Sequence, residues 1–208
     1  MNAQDFLPRL QDHLLARLLG LPYDGDERQF TTPQRNNVVL LGGKIYCHKT
    51  LVINYTTYDL RRAQDSINTR THADIMVLGC EDPNDRTGHP YWYGRVIGIY
   101  HAKVRHIGPD SQLSQSNKMD FVWVRWFQRN NSHGYRDGWK ARALPRIEFT
   151  AYNGELDAFG FLDPNLIIRA VHIIPAFTYD RTGHLLPPSI ARLPEEKDQD
   201  WLMYYVNM

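Results

Sequence analysis

Two long runs of β-branched and aromatic residues constrain the fold more than any other feature of this sequence. Residues 91–105 read YWYGRVIGIYHAKVR, and residues 119–127 read MDFVWVRWF. Side chains of these types suit the pleated surface of a sheet. We therefore predict two long strands joined as a hairpin, with Gly94 and Gly98 as points where the first strand bends or bulges.

Shorter segments of similar character lie on both sides of this pair. Gly42 and Gly43, between VVLL and KIYCH, predict a tight hairpin, because two glycines supply the positive φ that such a turn requires. The polar stretch 59–74 is predicted as a loop. Further strands are predicted over residues 51–58, 75–78, 139–150 and 171–177.

Leucines at three- and four-residue steps near the start predict an amphipathic helix that ends at Gly20. Asp163 followed by Pro164 predicts a short helical turn. Helical patterns do not alternate with the strands. We therefore predict a mainly β fold, a curved antiparallel sheet or small distorted β-barrel with an N-terminal amphipathic helix. The predicted divisions are 1–37 (helix and loop), 38–194 (barrel-like domain) and 195–208 (acidic tail and truncated terminal segment).

Charge and cysteine content exclude several classes of protein. The chain has 24 Lys and Arg against 23 Asp and Glu, a net charge of +1, so neither a polybasic nor an acidic tail dominates it. No apolar run approaches the roughly 20 residues that span a bilayer, so we predict no membrane partner. Cys47 and Cys80 do not make a disulfide framework, which favours an intracellular location.

The near-zero net charge conceals an uneven distribution of cations and acids along the chain. Segment 91–106 has three cations and no acid, and segment 125–146 has six cations and one acid. A neutral protein can therefore present a basic face, the electrostatic footprint of phosphate binding. The alternative is that alternating strands merely expose cations to solvent. The residues predicted to contact nucleic acid are Arg95, Lys103, Arg105, Arg125, Arg129, Lys140 and Arg142.

Aromatic side chains are interleaved with these cations. Exposed rings stack on bases or cage a methylated ammonium group, whereas buried rings simply fill a core. By alternation, Trp123 and Phe127 share a face with Arg125, and Trp126 lies on the other face. The candidates for base or peptide contact are Trp92, Tyr93, Trp123 and Trp139.

Signs of catalysis and of metal binding are weak. There is no phosphate-binding glycine loop and no nucleophile elbow, and the nine histidines do not pair at zinc-type spacing. His48 beside Cys47 is the closest approach, but adjacent residues on a strand point to opposite faces. We predict no metal site, no cofactor and no enzymatic activity. A two-metal carboxylate site is the alternative, with candidates Asp59, Asp65, Asp74, Asp120, Glu148 and Asp163.

Five longer segments resemble a known family. They are YTTYDLRRAQDSINTRTHADIMVL, HPYWYGRVIGIYHAKVRH, MDFVWVRWF, AFGFLDPNLIIRAVHIIPAF and PPSIARLPEEKDQDW. They resemble the C-terminal region of Plavaka-type transposase-like proteins of mushroom-forming fungi, which are related to the Kyakuja-Dileera-Zisupton group. The resemblance implies a nuclear protein, a catalytic domain upstream of this region, and a chain that is a fragment, the product of a truncated gene or a stand-alone remnant.

A second, local resemblance covers about a third of the chain. A Tyr-x-x-Val-Ile-x-Ile strand followed by Val-x-Val-Arg-Trp-Phe is similar to the bromo-adjacent-homology module of chromatin proteins. That module is a distorted β-barrel that binds histone tails, nucleosomes or other proteins. The matching residues are Tyr93, Val96, Ile97, Ile99, Val122, Val124, Arg125, Trp126 and Phe127.

The function predicted from the sequence is a non-catalytic accessory module that binds DNA or chromatin and derives from a transposon protein. A different hypothesis is a protein-interaction module that reads a peptide or a methylated histone tail. A third is a structural region that packs against the upstream transposase-like domain of a larger protein; a large exposed apolar patch would be its signature.

Overall fold

The structure is a computed structural model of the chain. It describes residues 3–23, 28–79, 90–108, 111, 115–130, 143–152, 158–192 and 194–207. The helices are α1 (Ala3–Leu18) and α2 (Thr32–Arg35), and 3-10 turns lie at Pro164–Leu166 and Pro194–Glu196. The strands are β1 (Val38–His48), β2 (Leu51–Thr56), β3 (Arg62–Ile67), β4 (Asp74–Leu78), β5 (Tyr91–His106), β6 (Asn117–Arg129), β7 (Arg146–Phe149), β8 (Phe159–Leu162), β9 (Ile167–Ala170), β10 (His172–Pro175), β11 (Arg181–Thr182), β12 (Asp200–Trp201) and β13 (Tyr204–Asn207).

The two long strands predicted from the sequence form the centre of the fold. β5 and β6 pair antiparallel from Tyr93 opposite Phe127 to Val104 opposite Asn117. They are longer than their neighbours, so each has a different partner along each half. β5 pairs with β4 over its first half and with β1 over its second half, while β6 pairs with β8 and then with β7. The main sheet runs β10-β13-β7-β6-β5-β4-β9, with β1 and β8 attached to the central pair.

The predicted fold class is confirmed. The chain is mainly β, antiparallel and curved, and over the described residues the sheet does not close into a barrel. The N-terminal helix is present and ends as predicted. Gly20 has a φ of +67°, and Leu21 and Gly20 donate backbone hydrogen bonds to the carbonyls of Ala16 and Arg17. This is the Schellman pattern that satisfies carbonyls at a helix end.

Two local predictions are wrong. Gly42 and Gly43 have the expected positive φ, but β1 continues through them and pairs with β5 on both sides, so they form a bulge and not a hairpin turn. The polar stretch after β2 contains a strand, β3, that forms a hairpin with β2. Its inward carboxylate, Asp65, accepts a hydrogen bond from the backbone N–H of Ala170, which allows a polar segment to pair against the sheet.

Segment 195–208 was predicted as an acidic tail, but β12 in it pairs with β11 and β13 in it belongs to the main sheet. β13 lies between β7 and β10 and pairs with both. Tyr204 and Val206 are buried there with Phe127, Ile147 and Phe149. Two acids before β13 also pair with arginines of the central strands: Glu196 with Arg95 and Asp200 with Arg125. The predicted division at residue 194 therefore does not separate a tail from a domain.

Apolar residues pack on both faces of the central strands. On one face, helix α1 covers β5, β6 and β8 through Leu10, Leu14, Phe121 and Phe161. On the other face, the β2–β3 hairpin places Ile67 against Val96 and Val122. None of the helices in the described part of the chain is long and apolar enough to cross a membrane.

Candidate functional site

A bulge in β5 decides which of the predicted cations are exposed. Strict alternation would put Arg95, Lys103 and Arg105 on one face, since their numbers differ by even steps. The register shifts between Val96 and Gly98, as expected for a bulge at a glycine. An extra residue in the strand moves Arg95 to the helix-covered side of the sheet, while Lys103 and Arg105 lie on the opposite side in solvent.

The Arg95 side chain is paired within the protein and is not available as an exposed phosphate contact. Its guanidinium binds Asp74 at 2.7 Å and Glu196 at 3.1 Å and lies 5.1 Å from the centre of the Phe149 ring. Burial lowers the pKa of Arg95, but the negative charges of Asp74 and Glu196 more than offset this and raise it above its ordinary value. The prediction that Arg95 contacts nucleic acid is corrected, because both of its faces are occupied by protein.

Arg125 is also a core residue, with a side chain only 1% exposed. It donates hydrogen bonds of 2.7 and 2.8 Å to the two carboxylate oxygens of Asp200 and stacks 3.7 Å from the centre of the Phe149 ring. Arg192 binds the same carboxylate at 2.7 Å. Burial raises the pKa of Asp200, and the hydrogen bonds and charges of the two arginines outweigh it, so the pKa is lowered. The predicted phosphate role of Arg125 is therefore wrong.

Two of the predicted aromatic contacts are also buried. Tyr93 is 1% exposed and Trp123 is 8% exposed. Trp123 packs edge-on against Phe6, with ring centres 5.7 Å apart. Trp92 is half-buried and packs against the core beneath the β2–β3 hairpin. The methyl-lysine cage built on Trp123 is thus excluded, because the ring is inside the helix-covered core.

The remaining predicted contacts differ in their placement. Lys103 and Arg105 are exposed, and Arg129 at the end of β6 is half-buried. Lys140, Arg142 and Trp139 lie outside the described residues. Exposed cations from the predicted set therefore remain at one end of the sheet, where β1, β5 and β6 lie side by side.

We call this surface the open face. It is the half of the β1–β5–β6 surface that the β2–β3 hairpin leaves uncovered. The register places Tyr46 opposite His101, His101 opposite Asp120 and Lys103 opposite Lys118. Its members are Tyr46, His48, His101, Lys103, Arg105, Lys118 and Asp120.

One part of the open face is cationic. Lys103 and Lys118 occupy directly opposed positions on β5 and β6, an arrangement that destabilises a strand pair because like charges lie side by side. Lys118 is 55% exposed and pairs with Asp120 at 2.9 Å. Lys103 and Arg105 have no ion pair among the described residues. The arrangement leaves net positive charge facing solvent.

The other part of the open face is a cluster of two imidazoles and a carboxylate. The Nε2 atom of His48 lies 2.5 Å from the Nδ1 atom of His101. Tyr46 stacks on His101, with ring centres 4.7 Å apart and planes inclined by 8°. Partial desolvation lowers the pKa of His101, and the positive charge of Lys118 lowers it further. The cluster lies beside the lysine pair and not within it.

The carboxylates considered for a two-metal site do not assemble. Asp74 binds Arg95, and Asp163 binds Arg17 and caps the turn at Pro164–Leu166. Glu148 accepts hydrogen bonds from Gln128 and Asn130. Within the described ranges, the only group of three potential ligands is His48, His101 and Asp120, so Asp120 is the one predicted acid found in such a group.

Comparison with known proteins finds no relative of this chain. No family model, no curated protein and no solved structure matches this chain. The open face must therefore be interpreted from its own chemistry.

Sequence reasoning missed the histidine cluster for a specific reason. His48 and His101 are separated by 53 positions, and neither is part of a short ligand motif. Their contact depends on the register between β1 and β5, which the bulge at Gly42 and Gly43 alters. The one useful sequence signal was alternation, which correctly separates Cys47 from His48: Cys47 lies opposite Tyr100 on the other face.

Proposed function

We propose that this chain is a non-catalytic accessory module that binds DNA or chromatin through the open face. The observation that carries the proposal is the opposition of Lys103 and Lys118 on neighbouring strands, with Arg105 alongside. A like-charge pair of this kind weakens the sheet, and an anionic ligand would relieve the repulsion. Phosphates are the anions that such a strip of solvated cations most readily binds.

The size of the surface sets an expectation for affinity. Once Arg95 and Arg125 are assigned to the core, the exposed cations of the predicted set among the described residues are Lys103 and Arg105, and Lys118 adds a third. Few phosphate contacts imply weak binding that is insensitive to base sequence. We therefore propose that this chain adds weak DNA contacts to those made by other parts of a larger assembly. The upstream transposase-like partner and the nuclear location come from the sequence resemblance alone.

The test is binding of the full chain to a short labelled DNA duplex, measured by fluorescence anisotropy over a series of salt concentrations. A chelator is present throughout, so that metal ions do not contribute. Binding should weaken steeply with salt, because bound phosphates release counterions. The Lys103→Gln/Lys118→Gln variant should lower the slope of log K against log salt by about 2, roughly one per lost contact.

The matched control is Arg62→Gln. Arg62 is exposed and lies at the far end of the β2–β3 hairpin, opposite Thr56, so its loss should leave binding unchanged. Salt-independent binding, or no binding at low salt, would remove the proposal. Equal losses in the lysine variant and in the control would also contradict it, because they would indicate nonspecific attraction without a defined surface.

The peptide-reading alternative has less support. Its main anchor, Trp123, is packed between Phe6 and Phe159. The buried ring therefore cannot contact a peptide unless the core opens. An acidic peptide that binds the wild type and loses affinity in Lys103→Gln/Lys118→Gln, where a DNA duplex does not bind, would instead point to peptide recognition on the same surface.

A further inference from the structure

We propose that His48, His101 and Asp120 form a binding site for a single Zn²⁺ ion on the open face. The three residues come from three neighbouring strands, β1, β5 and β6. They offer two imidazole nitrogens and one carboxylate oxygen, all within 4.8 Å of one another. None of its three ligands is a cation on which the DNA-binding proposal depends, although Asp120 pairs with Lys118.

The donor set favours a transition-metal ion such as Zn²⁺. Two histidines and one carboxylate are the three protein ligands of some catalytic zinc sites and of other transition-metal sites. Mg²⁺ and Ca²⁺ require mostly oxygen ligands and would bind poorly to two imidazoles. Cys47 does not add a sulfur ligand, because its side chain is on the opposite face of β1, across from Tyr100.

The required movement is small. In a tetrahedral site with Zn–N bonds of about 2.0–2.1 Å, donor atoms lie roughly 3.3 Å apart. The two imidazole nitrogens are 2.5 Å apart, so they must separate by a little less than 1 Å. The carboxylate must approach by no more than about 1.5 Å for a bond of this length. His48 and Asp120 are both exposed, so their side chains have room to make these shifts.

The sheet positions the ligands before an ion arrives. His101 and Asp120 are directly opposed on β5 and β6, so their side chains leave the sheet side by side. Tyr46, directly opposite His101 on β1, stacks on the imidazole and limits its rotation. Orientation of a ligand ring by a neighbour is a common way to hold a metal-binding geometry.

The exposed side of the cluster leaves room for further ligands. Three protein ligands complete only part of a tetrahedral shell, and the fourth position would face solvent. Water or an oxygen of an anionic ligand would occupy it. Asp120 also pairs with Lys118, so the ion must displace the ammonium group from one carboxylate oxygen.

The test uses the full chain, stripped with a chelator and titrated with Zn²⁺ by calorimetry. Co²⁺ serves as a second probe, because its absorption spectrum reports the number and geometry of ligands. We expect one ion per chain, and no comparable binding of Mg²⁺. His48→Ala, His101→Ala and Asp120→Asn should each weaken binding by more than about 10-fold, since even indirect partners of a metal cost that much.

The control is His184→Ala, which removes an exposed histidine from outside the cluster and should leave the titration unchanged. Asp120→His keeps three ligands and should retain binding where Asp120→Asn loses it. Circular dichroism of each variant verifies the fold. Equal weakening in His184→Ala and His101→Ala would overturn the proposal. So would unchanged binding in His101→Ala, which would leave the imidazoles as a hydrogen-bonded surface pair.

Discussion

Arg125 in the middle of β6 donates two hydrogen bonds to Asp200 at the start of β12, across 75 positions of the chain. Arg192 binds the same carboxylate and also donates to the backbone carbonyls of Leu186 and Pro187. One carboxylate therefore binds two buried guanidinium groups. This ties the C-terminal segment to the centre of the sheet and gives a structural role to Arg125, one of the cations that the sequence predicts to contact nucleic acid.

Replacing Asp200 should strongly destabilise the protein. Asp200→Asn leaves Arg125 and Arg192 charged and uncompensated in the core, where removal of one partner of a buried pair costs about 3–5 kcal/mol. Urea unfolding followed by tryptophan fluorescence measures the change in free energy of unfolding. Asp59→Asn is the control, because Asp59 and Arg61 are 54% and 84% exposed and such pairs contribute at most about 1 kcal/mol. Similar effects of the two substitutions would contradict the assignment.

The stability of the protein should fall in mild acid because of His13. This histidine is 8% exposed, and burial, with a smaller effect from Arg17, lowers its pKa from 6.5 to about 3. The folded state keeps the ring neutral while the unfolded state takes up a proton. The contribution is therefore complete above pH 6.5 and is lost as the pH falls, by up to about 1.4 kcal/mol per pH unit.

The variant that tests this is His13→Leu, with stability measured by urea unfolding between about pH 4.5 and the ordinary pKa of histidine. The wild type should lose stability through this range, and the variant should lose much less. His101, whose pKa is also lowered, leaves a small residual slope. Asp200 contributes little over this range, because its pKa is lowered by Arg125 and Arg192 and its loss of charge occurs at more acidic pH. A slope unchanged in His13→Leu would contradict the prediction.

Gly94 is expected to be intolerant of any side chain. A Cβ atom at this position would lie 2.3 Å from Cγ1 of Val124 and 3.0 Å from the Trp126 ring. Gly94→Ala should therefore destabilise the fold by about 1–3 kcal/mol, as overpacking in a core does. Gly183→Ala is the matched control, since its nearest neighbour would be 3.6 Å away. Thermal unfolding of the two variants provides the comparison, and equal melting temperatures would refute the close packing.

Lys118 should affect the two proposed activities in opposite directions. Lys118→Gln removes a cation from the open face, so DNA binding should weaken and become less dependent on salt. The same change frees Asp120 from its ion pair and reduces repulsion of an incoming cation, so Zn²⁺ binding should tighten. Anisotropy and calorimetry on the same variant measure both effects. A parallel loss of both activities would mean that the substitution disturbs the surface as a whole.

Several features follow from local sequence because their causes are local. The β-branched and aromatic composition of β5 and β6 determines that they are strands. Gly20 ends α1 because it adopts a positive φ, and Asp163 caps the turn that begins at Pro164 because its carboxylate accepts from the N–H of Asn165. Each of these depends on residues within one or two turns of the chain.

The assignment of side chains to faces depended on tertiary structure. Alternation alone places Arg95, Lys103 and Arg105 together, but the bulge between Val96 and Gly98 separates them. The sequence marks Gly98 as a possible bulge but does not state its register. One extra residue exchanges the faces of a strand. The bulge therefore removes Arg95 from the predicted set of DNA contacts.

The sequence by itself determined that this chain forms a mainly antiparallel sheet with an N-terminal helix. Only the tertiary structure decided that β3 pairs in spite of its polar composition, that β13 inserts between β7 and β10, and that His48 meets His101. The physical reason is that strand formation reflects local residue preferences. Pairing, register and burial of charge are set by contacts between segments far apart in the chain.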